Sequence, residues 1–92
     1  MKTVHKYPVE ITDEFWVEMP AGAEVLTVQV LTVQVQQGEP FLWAKVDTAA
    51  PYRPHGFRLI GTGLPAGDDP GRYVGSFQLE GGTQVFHLFT WD

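Results

Sequence analysis

The sequence predicts an all-β protein, a small antiparallel β-sandwich or partly open barrel of about six to seven strands. Short runs of β-branched and aromatic residues are separated by glycine and proline, which is typical of strands joined by turns. Helical patterns are nearly absent. The 92 residues are 43% hydrophobic and 13% aromatic, which indicates one β domain over residues 1–92 with a modest core.

The first half of the chain contains four predicted strands. Residues 2–7 and 15–19 form the first two, and Pro20-Ala21-Gly22 interrupts the chain after them. A long apolar segment at 24–36 follows. Gln36-Gln37-Gly38 then turns the chain into residues 41–46, whose sequence FLWAKV is rich in the residue types that favour strands.

The second half contains three more predicted strands. A loop with two prolines is expected at 48–54, followed by a strand at 57–60. Residues 63–71 hold two prolines and three glycines, so they cannot form regular structure. The last two strands, 73–79 and 84–91, flank Gly81-Gly82. Paired glycines predict a hairpin because both central positions of a type I′ turn need positive φ.

The third predicted strand contains the pentapeptide LTVQV twice, at 26–30 and 31–35. An odd insertion reverses which face the following side chains occupy. A straight strand over 24–36 would span ~43 Å, whereas a compact domain of this length is roughly 30 Å across. Three outcomes are open. The strand has a β-bulge or bend near Val30 and Leu31, it leaves one sheet and enters another, or three outward-facing apolar side chains are buried by a second copy of the chain. A tolerated tandem duplication is compatible with each.

We therefore predict a homo-oligomer with its interface at or near this segment, because long apolar strands are usually covered. The predicted interface residues are Leu26, Val28, Val30, Leu31, Val33 and Val35. The aromatic content points the same way. Three tryptophans, six phenylalanines and three tyrosines exceed what a core of this size needs, so some are expected at a contact surface.

Charge and composition exclude several partners and compartments. The formal net charge of -5 repels nucleic-acid phosphates and anionic membranes, so neither is expected as a partner. No cysteine is present, which excludes disulfides and thiol chemistry. The chain has no signal-peptide pattern and no stretch near the ~20 apolar residues of a membrane helix. We expect a soluble protein of the cytoplasm, that of the host cell if the chain is phage-encoded.

Several segments along the chain resemble a family of small uncharacterised proteins encoded by phages, prophages and bacteria. The segments are KTVHKYP at 2–8, IT at 11–12, AEVL at 23–26, LWA at 42–44, VD at 46–47, FR at 57–58, GTG at 61–63, YVGSF at 73–77 and VFHLF at 85–89. The family pattern has one copy of the LTVQV segment, and this chain departs from it by carrying two. The resemblance implies no activity.

No catalytic, metal or cofactor motif is apparent. His5, His55 and His87 are not at metal-ligand spacing, and Asp68-Asp69 before Pro-Gly is ordinary turn chemistry. The glycines at 61–67 lack the following helix of a phosphate-binding loop. Ser76 is the only serine and has no histidine beside it in sequence, although the fold could bring His87 near it across the final hairpin. We predict no enzyme activity, no metal and no cofactor.

Two functions follow as alternatives. The first is a small non-catalytic phage-type accessory protein that acts by stoichiometric binding to a host or phage protein and by self-association. The second is a small-ligand protein that binds an anionic metabolite or nucleotide through arginine and aromatic side chains. Its predicted ligand-binding residues are Tyr52, Arg53, His55, Arg58, Arg72 and Tyr73. The alternative interpretation is that the arginine side chains are solvated surface charges that pair with neighbouring aspartates.

Overall fold

Two antiparallel sheets face each other in a computed structural model that describes residues 1–31 and 39–91. The described strands are β1 (Lys2–Pro8), β2 (Glu14–Pro20), β3 (Glu24–Leu31), β4 (Glu39–Asp47), β5 (Tyr52–Gly61), β6 (Arg72–Leu79) and β7 (Gln84–Trp91). One sheet has the order β1-β4-β3 and the other the order β2-β5-β7-β6. The all-β prediction is confirmed, and the sheets are open rather than closed into a barrel.

The core lies between the two sheets and follows the alternation of side chains along each strand. In β4, Leu42 and Ala44 are fully buried, while Trp43 between them is partly exposed. In the opposite sheet, Phe57 of β5 and Leu88 of β7 are also fully buried. Phe57 stacks on Phe15, with ring centroids 5.1 Å apart. One continuous apolar cluster therefore joins the two sheets.

A β-bulge in β3 changes which residues face the core. The pairing of β3 with β4 shifts register between Val25 and Thr27, and Leu26 is left 44% exposed on the bulge. Val25 points inward before the bulge and Val28 after it. The bend was expected near Val30 and Leu31, but pairing there is regular and continues to Leu31 opposite Glu39. The rest of the second LTVQV copy lies outside the described residues.

Strand β5 begins earlier than its prolines predicted. The expected loop at 48–54 ends at Pro51, and Tyr52 opens the strand opposite Pro20. Pairing with β7 starts only at Gly56, so the first residues of β5 are paired on one side alone. A strand with one free side tolerates proline, since the missing N–H breaks no ladder there.

The final hairpin agrees with the prediction. Strand β7 has the predicted bounds, and Gly81 and Gly82 have φ values of 66° and 91° in a 3-10 turn. Both glycines therefore adopt the left-handed conformation that only glycine enters at low cost. The hairpin places Ser76 directly opposite His87.

Residues 62–71 form a crossover that joins β5 to β6 past β7, which lies between them in the sheet. The carbonyl oxygen of Ala66 accepts a hydrogen bond from Arg58, whose side chain points away from the core. The crossover therefore passes on the outer side of the four-stranded sheet. Within the described ranges, the chain has no helix with the length and apolar character that spanning a membrane requires.

Candidate functional site

The outer side of the four-stranded sheet carries a row of aromatic side chains around one arginine. We call this surface the aromatic face, and it consists of Trp16, Arg58, Tyr73, Phe89 and Trp91. The Trp16 and Trp91 rings lie 5.9 Å apart, and the Tyr73 and Phe89 rings lie 5.6 Å apart. Trp16 is 63% exposed and Tyr73 is 54% exposed. Large aromatic rings are thus presented to solvent on a flat, hydrogen-bonded support.

The register of the strands explains why these residues share one face. Phe89 and Trp91 alternate along β7 with the buried Leu88 and Thr90, so they point outward. Arg58 lies opposite Phe89 on one side of β7 and Tyr73 lies opposite it on the other. Three adjacent strands therefore contribute side chains to one cross-strand row.

Arg58 is fixed by three neighbours from different parts of the chain. Its Nη2 donates to Glu14 Oε1 at 2.8 Å, and its Nη1 donates to the carbonyl oxygen of Ala66 at 3.4 Å. The guanidinium carbon also lies 5.2 Å from the centre of the Trp91 ring, within cation–π range. Arg58 consequently joins β2, the crossover and β7 and holds Trp91 in place.

Gly56 allows the two tryptophans to lie close to the β5 backbone. A Cβ atom at this position would lie 2.6 Å from Trp91 Cε3 and 2.7 Å from Trp16 Cζ3. Both distances are well below the ~3.5 Å of a normal carbon contact. Any side chain at position 56 would therefore displace at least one indole.

A chain of hydroxyl and imidazole groups lies beside the aromatic face. Tyr73 Oη is 2.6 Å from Ser76 Oγ, and Ser76 Oγ is 2.6 Å from His87 Nδ1. On the other side of the ring, His87 Nε2 is 2.7 Å from Thr62 Oγ1. Both imidazole nitrogens of His87 are therefore hydrogen-bonded. The hairpin register brings Ser76 to His87, and the first residue after β5 supplies Thr62.

Comparison with known proteins gives a family. The chain belongs to the DUF7352 family. The family model, described as a domain of unknown function, matches residues 1–92. No curated protein and no solved structure matches the chain. The predicted membership of an uncharacterised family is confirmed at that level, and the family description assigns no activity.

The residues predicted to bind an anionic ligand are only partly brought together in this DUF7352 chain. Arg58 and Tyr73 lie on the aromatic face on either side of Phe89. Arg72 comes immediately before Tyr73, but its side chain reaches the other sheet, where Nη2 donates to the carbonyl oxygen of Val25 at 3.2 Å. Arg72 therefore links the edges of the two sheets.

The other three predicted ligand residues lie near the start of β5. Tyr52 and Arg53 are exposed there, and His55 is buried, with Nδ1 3.0 Å from the carbonyl oxygen of Arg53. The pKa of Tyr7 is raised, first by its own burial and then by the charge of Tyr52. This group is separate from the Arg58 and Tyr73 pair in the fold.

The predicted interface residues also occupy different environments. Leu26 is exposed on the bulge, Val28 is buried in the core, and Val30 is half-buried against it. Leu31 ends β3, and residues 33 and 35 lie outside the described residues.

The charged side chains of the loops have local roles. Asp69 accepts a hydrogen bond from the backbone N–H of Gly71 at 3.2 Å, as expected for a turn. The pKa of Asp47 is lowered, first by a hydrogen bond from the backbone N–H of Ala49 and then by the N-terminal ammonium group. In the described part of the chain, no group of three histidine, aspartate or glutamate side chains is arranged to hold a metal ion.

Sequence reasoning missed how the aromatic face is assembled. It expected surplus aromatics at a contact surface but did not identify Trp16 and Trp91 as a pair, because β2 and β7 meet only through β5. It also missed Thr62. The sequence did contain one signal for this face. His87, Phe89 and Trp91 are alternate residues of β7, so they lie on the same side of the strand.

Proposed function

We propose that the protein acts by stoichiometric binding of another protein through the aromatic face. The observation that carries this proposal is the exposure of Trp16, which is 63% accessible although it packs against Trp91. Large exposed apolar surfaces on small proteins mark interaction sites. Tryptophan, tyrosine and arginine are also the residues that most often dominate binding energy at protein interfaces.

The arrangement of the face favours binding without rearrangement. Arg58 is already held by Glu14 and Ala66, and Gly56 lets the indoles sit flat on the backbone. A side chain that is ordered before binding loses less entropy in the complex. Polar groups at the edge, including Ser76, add hydrogen-bonding capacity around the apolar centre.

The distribution of lysines supports a protein partner over a nucleic acid. On the outer side of the three-stranded sheet, Lys2 lies opposite Asp47 and Lys45 lies opposite Glu24. Lys6 covers the ring of Phe41 at 4.8 Å. Each lysine is thus matched by a nearby acid or an aromatic ring, so the charges form no continuous basic track.

The proposal includes a phage-encoded accessory role in the host cytoplasm. The resemblance of the sequence to phage and prophage proteins supports this origin. Self-association is also part of the proposal. Deletion of residues 31–35 tests it, because this leaves one LTVQV copy. A drop in solution mass to that of a monomer would support assembly through the duplicated segment, and an unchanged oligomer would contradict it.

Binding of a small anionic ligand has less support. Arg58 and Arg72 already donate to protein oxygens, and His55 is buried against its own strand. Reversal of charge at Arg58 and Arg72 would abolish such binding.

Native mass spectrometry of gently purified protein tests the proposal. The wild type should carry a protein partner at a fixed ratio, and Trp16→Glu should lose it because a carboxylate replaces the exposed indole. Val4→Glu is the matched control, since Val4 is 51% exposed on the other sheet. It should retain the partner. A partner kept by Trp16→Glu, or a wild-type chain with none, would contradict the proposal.

A further inference from the structure

The hydrogen bonds around His87 fit the tautomer that a base needs, with the proton on Nε2 and the lone pair on Nδ1. Thr62 Oγ1 contacts both His87 Nε2 at 2.7 Å and the carbonyl oxygen of Val85 at 3.3 Å. In that tautomer the Thr62 hydroxyl donates to the carbonyl oxygen of Val85 and accepts from Nε2–H. Nδ1 then keeps its lone pair. That lone pair accepts the hydroxyl proton of Ser76 at 2.6 Å.

We propose that Ser76 is an activated nucleophile that takes an acyl group from a carboxylic ester, at a site that borders the aromatic face and shares Tyr73 with it. An activated serine needs a base within hydrogen-bond reach and a third group that orients the base. His87 and Thr62 supply these two roles at 2.6 Å and 2.7 Å. Ser76 is exposed, so an ester can reach its Oγ.

Tyr73 supplies the group that would stabilise the transition state. Its phenol oxygen lies 2.6 Å from Ser76 Oγ, and it donates to Ser76 when Ser76 donates to His87. When Ser76 attacks, negative charge develops on the carbonyl oxygen of the ester next to Oγ. The Tyr73 hydroxyl can transfer its hydrogen bond to that oxygen, as side-chain donors do in oxyanion holes. Tyr73 is 54% exposed, which leaves room for the ester beside it.

A groove next to Ser76 offers a place for the acyl chain. It lies between the edge strands β3 and β6 and has a volume of about 600 Å³. Its lining residues are Val28, Gln29, Val30, Ser76, Phe77 and Gln78. Val28 and Phe77 are buried in the core, so Val30 is the main apolar side chain open to a ligand there. The groove therefore has room for a short acyl chain of a few carbons next to Ser76.

The chemical step is an acyl transfer that needs no further reactant. Ser76 Oγ bonds to the carbonyl carbon while His87 Nδ1 takes the hydroxyl proton. The bond from the carbonyl carbon to the alcohol oxygen then breaks, and His87 returns the proton to the departing alcohol. The products are an acyl ester on Ser76 and the free alcohol.

The test uses p-nitrophenyl butyrate with the full chain and follows both p-nitrophenolate release and intact mass. We expect one butyryl group per chain, located on Ser76 by peptide mapping, and none on Ser76→Ala. His87→Gln should lower the acylation rate by about 100-fold or more because the base is lost. Tyr73→Phe should lower it by at least roughly 10-fold. Thr62→Val should lower it and Thr62→Ser should restore it, because the serine hydroxyl can orient His87 in the same way.

Two controls separate activation from ordinary surface reactivity. His5 also contacts a hydroxyl, that of Tyr7 at 3.5 Å, so His5→Gln should leave acylation unchanged. Val4→Glu, on the other sheet, should also be acylated normally. The two proposals fail separately, because partner binding is read from the mass of the complex and acylation from the butyryl group on Ser76. Thermal unfolding of each variant checks that it is folded. Absence of butyrylated Ser76 in the wild type, or equal rates for wild type and folded His87→Gln, would overturn the proposal.

Discussion

Replacement of Gly56 by alanine should disturb the aromatic face, because the new methyl group would collide with both of its tryptophans. The new Cβ would lie 2.6 Å from Trp91 Cε3 and 2.7 Å from Trp16 Cζ3. Normal carbon contacts are about 3.5 to 4.0 Å, so each indole must move by about 1 Å. Trp91 cannot do so freely. Arg58 covers its ring, and the backbone at Gly71 lies close to its Cδ1.

The expected cost is that of inserting one methyl group into a packed site, about 1 to 3 kcal/mol. For a domain of this size, each kcal/mol lowers Tm by about 4 to 8 °C. Gly56→Ala should therefore melt about 5 to 20 °C below the wild type. Its near-UV circular dichroism should also change, because the signal of two indoles 5.9 Å apart depends on their relative orientation.

The matched control is Gly61→Ala on the same strand. Its Cβ would meet only Leu64 Cδ1 at 3.1 Å, and Leu64 is 63% exposed and free to rotate away. Thermal melts and near-UV spectra of both variants are the assay. Gly61→Ala should stay within about 0.5 kcal/mol of the wild type. An unchanged Tm and spectrum for Gly56→Ala would refute the tight packing of the tryptophans on β5.

Four further variants test other parts of the structure. Arg58→Met should lower the free energy of unfolding by about 1 kcal/mol in urea titrations, since it removes an ion pair and a cation–π contact. Leu42→Ala should cost about 2 to 5 kcal/mol in the same assay, because Leu42 is fully buried. Gly81→Ala should cost about 1 to 2 kcal/mol because φ there is 66°. The lowered pKa of Asp47 stabilises the fold above the unfolded-state pKa of about 3.9 and stops doing so as the pH falls through the folded-state value. Asp47→Asn should therefore unfold at lower urea than the wild type at about pH 7, and the gap should narrow as the pH falls below the unfolded-state pKa.

Local signals in the sequence predicted the final hairpin well. Gly81 and Gly82 adopt positive φ because the turn requires it, and β7 has its predicted bounds. The register of this hairpin places Ser76 opposite His87 in the structure. That pair was foreseen only as a possibility, because the register depends on the exact length of the turn.

Features that depend on several strands could not be read from local patterns. The bulge at Leu26 lies inside the first LTVQV copy, where period-two alternation gives no warning of it. The early start of β5 at Tyr52 depends on which side of the strand is paired. The meeting of Trp16 with Trp91 needs the order β2-β5-β7. Sequence alone predicted an aromatic contact surface but not its members.

The affinity of the partner for Trp16→Ala, measured by calorimetry on the complex recovered from native purification, tests the central claim most directly. Loss of a dominant interface residue costs at least about 2 kcal/mol. The dissociation constant should therefore rise by roughly 30-fold or more. Val4→Ala, which truncates a residue that is 51% exposed on the other sheet, should change it by less than about 3-fold. A Trp16→Ala complex as tight as the wild type would contradict binding through the aromatic face.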